Sequence, residues 1–148
     1  AALAQEMLAV MRAGKGIGLA APQVGISKRL FVVELEGGEP FIFFNPRIVE
    51  MSERRVKMEE GCMSLPGIYA DVLRPDAVRV HAWNARGRAF TLDADGLLAR
   101  VIQHEADHLR GIMFIDLLSE LKKKRILRVW EERPPARPDT DGADGDAL

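Results

Sequence analysis

The chain has 148 residues, 47% hydrophobic and 29% charged, the balance of a globular chain of one domain. Lys and Arg total 21 against 22 Asp and Glu, a net charge of -1, which argues against a protein built mainly for DNA or other nucleic acid. The longest stretch without Asp, Glu, Lys or Arg is 12 residues, 16–27, too short for a membrane span, and a single cysteine, Cys62, excludes an internal disulfide framework.

No signal-peptide pattern opens the chain, which predicts an intracellular protein. Residues 1–13 read as an amphipathic helix, with Leu3, Met7, Val10 and Met11 at helical spacing and Gly14 and Gly16 as its stop. That helix begins without an initiator Met or a cap, as though its start were missing. Gly16-Ile17-Gly18-Leu19-Ala20-Ala21-Pro22-Gln23 is too short for a helix and too rich in small residues for core, so alone it reads as a linker. It is not a dinucleotide fingerprint, because no strand precedes it and the third glycine is misplaced. Small residues do let backbone approach a ligand, and Gln23 has an amide to donate.

From 28 to 93 the signals are those of strands. Residues 29–35 are rich in β-formers, Gly37-Gly38 marks a turn, 40–44 continue the pattern, and Asn45-Pro46 breaks it. Short strands are expected at 47–51, 54–58 and 68–73; Val78, Val80 and Ala82 then alternate with Arg79, His81 and Trp83, and 88–92 follow a turn. Asp95 is placed to cap a helix running to about residue 110, with Gly111 as its stop and Leu97, Leu98, Val101, Ile102 and Leu109 as a buried stripe. Ser119 caps a last helix to about residue 132, bearing Lys122, Lys123, Lys124, Arg125 and Arg128. Residues 134–148, with three prolines and four aspartates, are expected to be a disordered acidic tail. The fold class is therefore α+β: one domain over 1–133, short antiparallel strands packed around a central helix, with a C-terminal helix.

The sharpest feature is His104-Glu105-Ala106-Asp107-His108. Residues four apart on a helix stand about 40° apart around the axis and one turn along it, so both imidazoles reach one ion. Glu105 then stands beside the ion as a general base. Two of the three histidines in the chain sit at this spacing; His81 reads as a surface strand residue. A catalytic site needs a third protein ligand and one open position. One protease class places a His shortly after Gly, but here Phe114 stands at that position after Gly111. Another uses a later Glu, and Glu120, Glu131 and Glu132 all lie in the charged last helix. A Glu from there would make the chain a zinc metallopeptidase of the HExxH type. Cys62, within Glu60-Gly61-Cys62-Met63-Ser64-Leu65-Pro66 between predicted strands, is the remaining candidate. Thiolate with two imidazoles suits zinc and ferrous iron alike. Glu60 is expected to pair with an arginine such as Arg74, a structural role.

Residues 16–23, 60–64 and 103–108, in this order and spacing, resemble the three signature motifs of peptide deformylases, and the resemblance runs from about residue 1 to 132. It implies removal of the N-formyl group from the initiator N-formylmethionine of nascent polypeptides, with release of formate. It implies one ferrous ion held by Cys62, His104 and His108, a site that zinc, nickel or cobalt also fits. It makes Glu105 the acid/base, and Gln23 and the backbone N–H of Met63 the oxyanion donors. Met63 stands where the family usually has Leu, and family members carry a segment ahead of the first helix. Leu97, Arg100 and Val101 share the helix face of His104 and, with Ile17, Gly18 and Met58, are expected to line an apolar slot for the methionine side chain. An extended substrate is expected to pair with a strand edge from Gly67 to residue 70. The resemblance also implies ribosome docking through the basic last helix, and a bacterial cytoplasmic or organellar home.

Overall fold

The computed structural model of the protein describes residues 2–133. The elements run α1 (Ala2–Ala13), β1 (Gly18–Ala20), β2 (Leu30–Val33), β3 (Phe41–Met51), β4 (Arg55–Cys62), β5 (Leu65–Pro75), β6 (Ala77–Trp83), β7 (Ala89–Asp95), α2 (Gly96–His108) and α3 (Glu120–Glu131), with 3-10 turns at Ala21–Val24 and Phe114–Leu117. The α+β class is as expected. Five strands form an antiparallel sheet in the order β1-β2-β3-β6-β7, while β4 and β5 form a separate hairpin. Among the described residues no helix is long and apolar enough to cross a membrane. The acidic tail expected at 134–148 lies outside the described residues.

Strand β2 shows how the layers are assembled. Phe31 and Val33 face the side where Ala99, Val101 and Ile102 of α2 pack with Phe43, Val78 and Val80. Leu30 and Val32 face the opposite side, which Ala4, Met7, Leu8 and Met11 of α1 cover. A strand buried on both faces reads as a continuous apolar run without alternation, and Leu30–Val33 is such a run.

Helix α2 lies between the sheet and the hairpin, and every residue from 99 to 105 is buried. Four of these are polar: Arg100, Gln103, His104 and Glu105. Buried polar groups cost free energy unless partnered, so these four define where the fold's chemistry is concentrated. The helix stop is as the sequence predicts, with Gly111 at φ 75 and its N–H on the His108 carbonyl at 3.1 Å. Asp95 occupies the position before α2 but makes no side-chain capping bond, whereas Ser119 caps α3 through the Lys122 N–H.

Several expectations need correction. Asn45-Pro46 does not end a strand. Strand β3 continues through it, and the β3–β6 register shifts between Phe44 and Arg47, so the proline sits in an irregularity where its missing N–H breaks no ladder bond. The segment 16–23 is not a linker: Gly18–Ala20 form an edge strand, and Leu19, Ala20 and Ala21 are buried between α1 and α2. Cys62 is not in a loop but ends β4, which runs four residues beyond the expected 58. Leu97, expected in the buried stripe, is 43% exposed in the first turn of α2.

Candidate metal centre

Hairpin β4–β5 delivers Cys62 and helix α2 delivers His104 and His108, all three buried. The Cys62 sulfur lies 3.3 Å from His108 Nε2, and that nitrogen lies 3.0 Å from His104 Nε2. The three donor atoms all fall within 4.8 Å of one another. Donors held at roughly 2.0–2.3 Å from one tetrahedral ion sit about 3.3–3.6 Å from each other; the sulfur–His108 distance matches, and small shifts of the side chains would bring all three donors onto a single cation. Burial pushes the Cys62 thiol up to about 11 and His108 down to about 4. At neutral pH His108 therefore offers a lone pair, and Cys62 would give up its proton on taking a cation.

The orientation of His104 is set by Glu60. Its Nδ1 is 3.0 Å from Glu60 Oε1. Burial pushes the Glu60 carboxyl up, but hydrogen bonds from His104 and Arg74 outweigh it and hold it at about 2. An ionised carboxylate only accepts, so His104 Nδ1 donates to it and Nε2 is the ring nitrogen turned toward Cys62 and His108. Arg74 grips Glu60 with two bonds, of 2.7 and 3.0 Å, and reaches Asp107 at 2.8 Å with its third nitrogen. Arg100 adds a bond to the same carboxylate and ties it to the carbonyls of Val72 and Val56. Two arginines on one buried carboxylate thus clamp the hairpin to the helix, the structural role expected of Glu60 with Arg74. The Arg100 and His104 contacts went unread because in sequence they lie 40 and 44 residues from Glu60.

Glu105 differs from every other polar group in the core: neither of its carboxylate oxygens has a hydrogen-bond partner among the described residues. Oε1 lies 4.0 Å from His104 Nε2. Burial raises its pKa well above the usual carboxylate range, with Arg74 opposing the shift. A bare carboxyl facing three converging donors is a site for a cation and its water. Strand β1 passes directly over it. A Cβ on Gly18 would stand 2.9 Å from both Glu105 Oε1 and Val101 Cγ1, so only glycine leaves this carboxyl room.

The amide of Gln23 reaches the same place. Its Oε1 accepts the Ala20 N–H at 2.8 Å, and its Nε2 points to Ser64 Oγ at 3.0 Å and Cys62 Sγ at 3.3 Å. Ser64 also directs its own N–H at the sulfur, at 3.4 Å. Ser64 is a site residue whose part the sequence did not disclose, since a serine in a turn has an ordinary local explanation. Met63 sits in that tight turn, with its side chain against Gly14 at the end of α1.

The other expected site residues separate. Met58 and Arg100 border one cavity of about 400 Å³ together with Val56 and Gly96. Val101 is fully buried in the core beneath Gly18. The guanidinium of Arg100 is held by Glu60 and two carbonyls, because a buried charge needs acceptors on every side. Ile17 is half-buried, while Gly67 is exposed on β5 with φ 78. His81 is exposed on β6. A downstream Glu as third ligand finds no support: Glu120, Glu131 and Glu132 are all exposed, and Phe114 lies against the His104 ring with centroids 6.1 Å apart.

Comparison with known proteins agrees with this geometry. A profile of the family described as polypeptide deformylase matches residues 1–124. The peptide deformylase of Prochlorococcus marinus (strain NATL2A) is 48% identical over 129 residues, covering 82% of this chain and 64% of its own length. That of Rhizobium meliloti (strain 1021) is 47% identical over 139 residues, covering 91% and 80%. The crystal structure of peptide deformylase from Thermus thermophilus superposes with a TM-score of 0.82 at 43% identity, over 86% of this chain and 77% of that one. The enzyme from Synechococcus elongatus, solved in complex with actinonin, gives 0.79 at 46%, over 84% and 69%. This chain thus spans just under two thirds of the length of its Prochlorococcus relative. A motif set that folds into one buried donor cluster, a matching profile and relatives approaching half identity lead to one assignment: the chain belongs to the polypeptide deformylase family.

Proposed function

We propose that the chain is a metal-dependent hydrolase that removes the formyl group from the N-terminal formylmethionine of newly made polypeptides, releasing formate. The observation that carries this reading is the meeting of Cys62, His104 and His108 beside a buried carboxyl, Glu105, that nothing else uses. When bound, the metal supplies Lewis acidity, acidifying a water and polarising the formyl carbonyl.

The chain's own residues supply the rest. Glu105 takes a proton from the attacking water and delivers it to the leaving nitrogen as the C–N bond breaks, giving formate and a free amine. The Gln23 amide and the Met63 N–H donate to the oxygen on which negative charge develops. Ile17, Met58 and Leu97, the exposed or half-buried members of the expected set, are the candidates for the slot that takes the methionine side chain, with Gly18, Arg100 and Val101 buried behind them. The peptide beyond pairs with β5 near Gly67, since β5 has a strand partner only in β4 among the described residues.

Ferrous iron is the metal of this reading, with zinc, nickel or cobalt as substitutes. The exposed face of α3, bearing Lys122, Lys124, Arg125 and Arg128, is the surface for the ribosome, as befits an enzyme of nascent chains in a bacterial cytoplasm or an organelle. The test is formate release from a formyl-Met-Ala peptide against its acetylated counterpart. Release from the first alone supports the proposal, and release from neither by metal-loaded protein contradicts it. Activity lost in air and retained after nickel substitution identifies iron.

A further inference from the structure

The arginines of the chain fall into distinct groups. Arg12, Arg54, Arg74, Arg79 and Arg100 each face a carboxylate. Arg47, Arg55 and Arg110 make no ion pair or side-chain hydrogen bond among the described residues, and Arg29 donates only to the Pro46 carbonyl, at 2.9 Å. These last four border one cavity of about 400 Å³ on the reverse side of α2, walled by β3, the start of β4, the end of β5 and the turn after α2. Its single acidic residue, Asp107, is already held by Arg74.

Arg86, Arg88, Arg125 and Arg128 are likewise exposed and without an ion pair among the described residues, but they lie in the β6–β7 turn and on α3, whereas four arginines border this one hollow. Like charges brought together repel unless an anion joins them. One guanidinium fork satisfies a carboxylate through two parallel bonds, so several forks around one hollow suit an anion with more oxygens and more charge. Leu73 and Leu117, 51% and 47% exposed, border the same cavity and offer apolar surface beside the charges. We propose that this cavity binds a small organic phosphate, its phosphate held among Arg47, Arg55 and Arg110 and its apolar body against Leu73 and Leu117. The site is independent of the deformylase reading: none of the three arginines and two leucines is assigned to metal binding or catalysis, although Arg74 and Asp107, which brace Glu60, also line the cavity.

The experiment is calorimetric titration of the metal-loaded protein with phenyl phosphate, inorganic phosphate and a short RNA oligonucleotide at fixed ionic strength. Phenyl phosphate is expected to bind with one equivalent per chain and more tightly than inorganic phosphate. Arg47→Gln, Arg55→Gln and Arg110→Gln are each expected to weaken it about tenfold or more, the loss of a charge-assisted bond. All three side chains are exposed, and circular dichroism melting verifies that each variant folds. Three results overturn the proposal: no binding, binding unchanged in every folded variant (which places the phosphate at the metal donors), or arginine-dependent binding of the oligonucleotide alone.

Discussion

Glu60 Oε1 lies 3.0 Å from His104 Nδ1, and this contact joins the structural core to the chemistry of the site. The carboxylate that fixes the imidazole is itself fixed by Arg74 and Arg100, so the donor atom of His104 is aimed by a clamp spanning two strands and a helix. Metal ligands whose outer partners are removed typically lose about 10–100-fold in affinity. Glu60→Gln keeps the shape but lacks the charge, and the variant is expected to bind its metal more weakly by about that factor. Competition with a chelator measures it; unchanged affinity would show that His104 needs no such partner.

Gly18 lies against the Glu105 carboxyl. In Gly18→Ala the new methyl would come within 2.9 Å of Glu105 Oε1 and Val101 Cγ1, so one of the three must move. Overpacking of this kind costs about 1–3 kcal/mol, and the yielding carboxyl is the one proposed to carry the proton. The expected result is lower turnover with metal content retained, read by formate release and by metal analysis of the same sample.

Ser64 holds the Gln23 amide at 3.0 Å, so it acts as a positioning residue. Gln23→Leu removes the proposed oxyanion donor and is expected to raise the barrier by about 2.7–4 kcal/mol, mostly in kcat. Ser64→Ala leaves the amide present but unanchored, and is expected to lower kcat less than Gln23→Leu does, with KM little changed. Ser64→Thr restores the hydroxyl and should recover most of the loss. A purely structural serine would instead shift the melting temperature and leave kcat alone.

The link between α3 and the rest of the chain responds to acid. Asp116 accepts from Lys123 of α3 and from the Met113 N–H, which together hold its carboxyl below the ordinary range. A folded value below the unfolded one means that this contribution is fully present above the unfolded value, about 3.9, and is lost as the pH falls through the folded one. In a Trp83→Phe background, Trp130 alone reports on the packing of α3. Its fluorescence is expected to change as the pH falls below the unfolded value, and Asp116→Asn should remove that part of the change. An identical titration in the variant contradicts the assignment.

What could be read beforehand follows from where the partners lie. His104, Glu105 and His108 are close in sequence and on one helix, so their spacing alone gave the shape of the site. Cys62 came from elimination and family resemblance together, not from local pattern. The strands were harder. Pro46 looked like a break because the register shift that tolerates it depends on the partner strand β6. Strand β4 looked finished before Glu60, because a carboxylate in a buried strand makes sense only once Arg74, Arg100 and His104 surround it. Residues 18–20 looked like a linker because their burial comes from α1 and α2 and not from large side chains of their own.

Glu105, with no hydrogen-bond partner among the described residues, is the proposed proton carrier beside a metal that Cys62, His104 and His108 would hold. Glu105→Gln tests this assignment most directly, since the amide fills the same space without accepting a proton. Metal content and formate release should be measured on one preparation. One metal per chain is expected, as in the unaltered protein, with turnover reduced by about 10²–10⁴-fold. Turnover near the unaltered rate with the metal in place would contradict it.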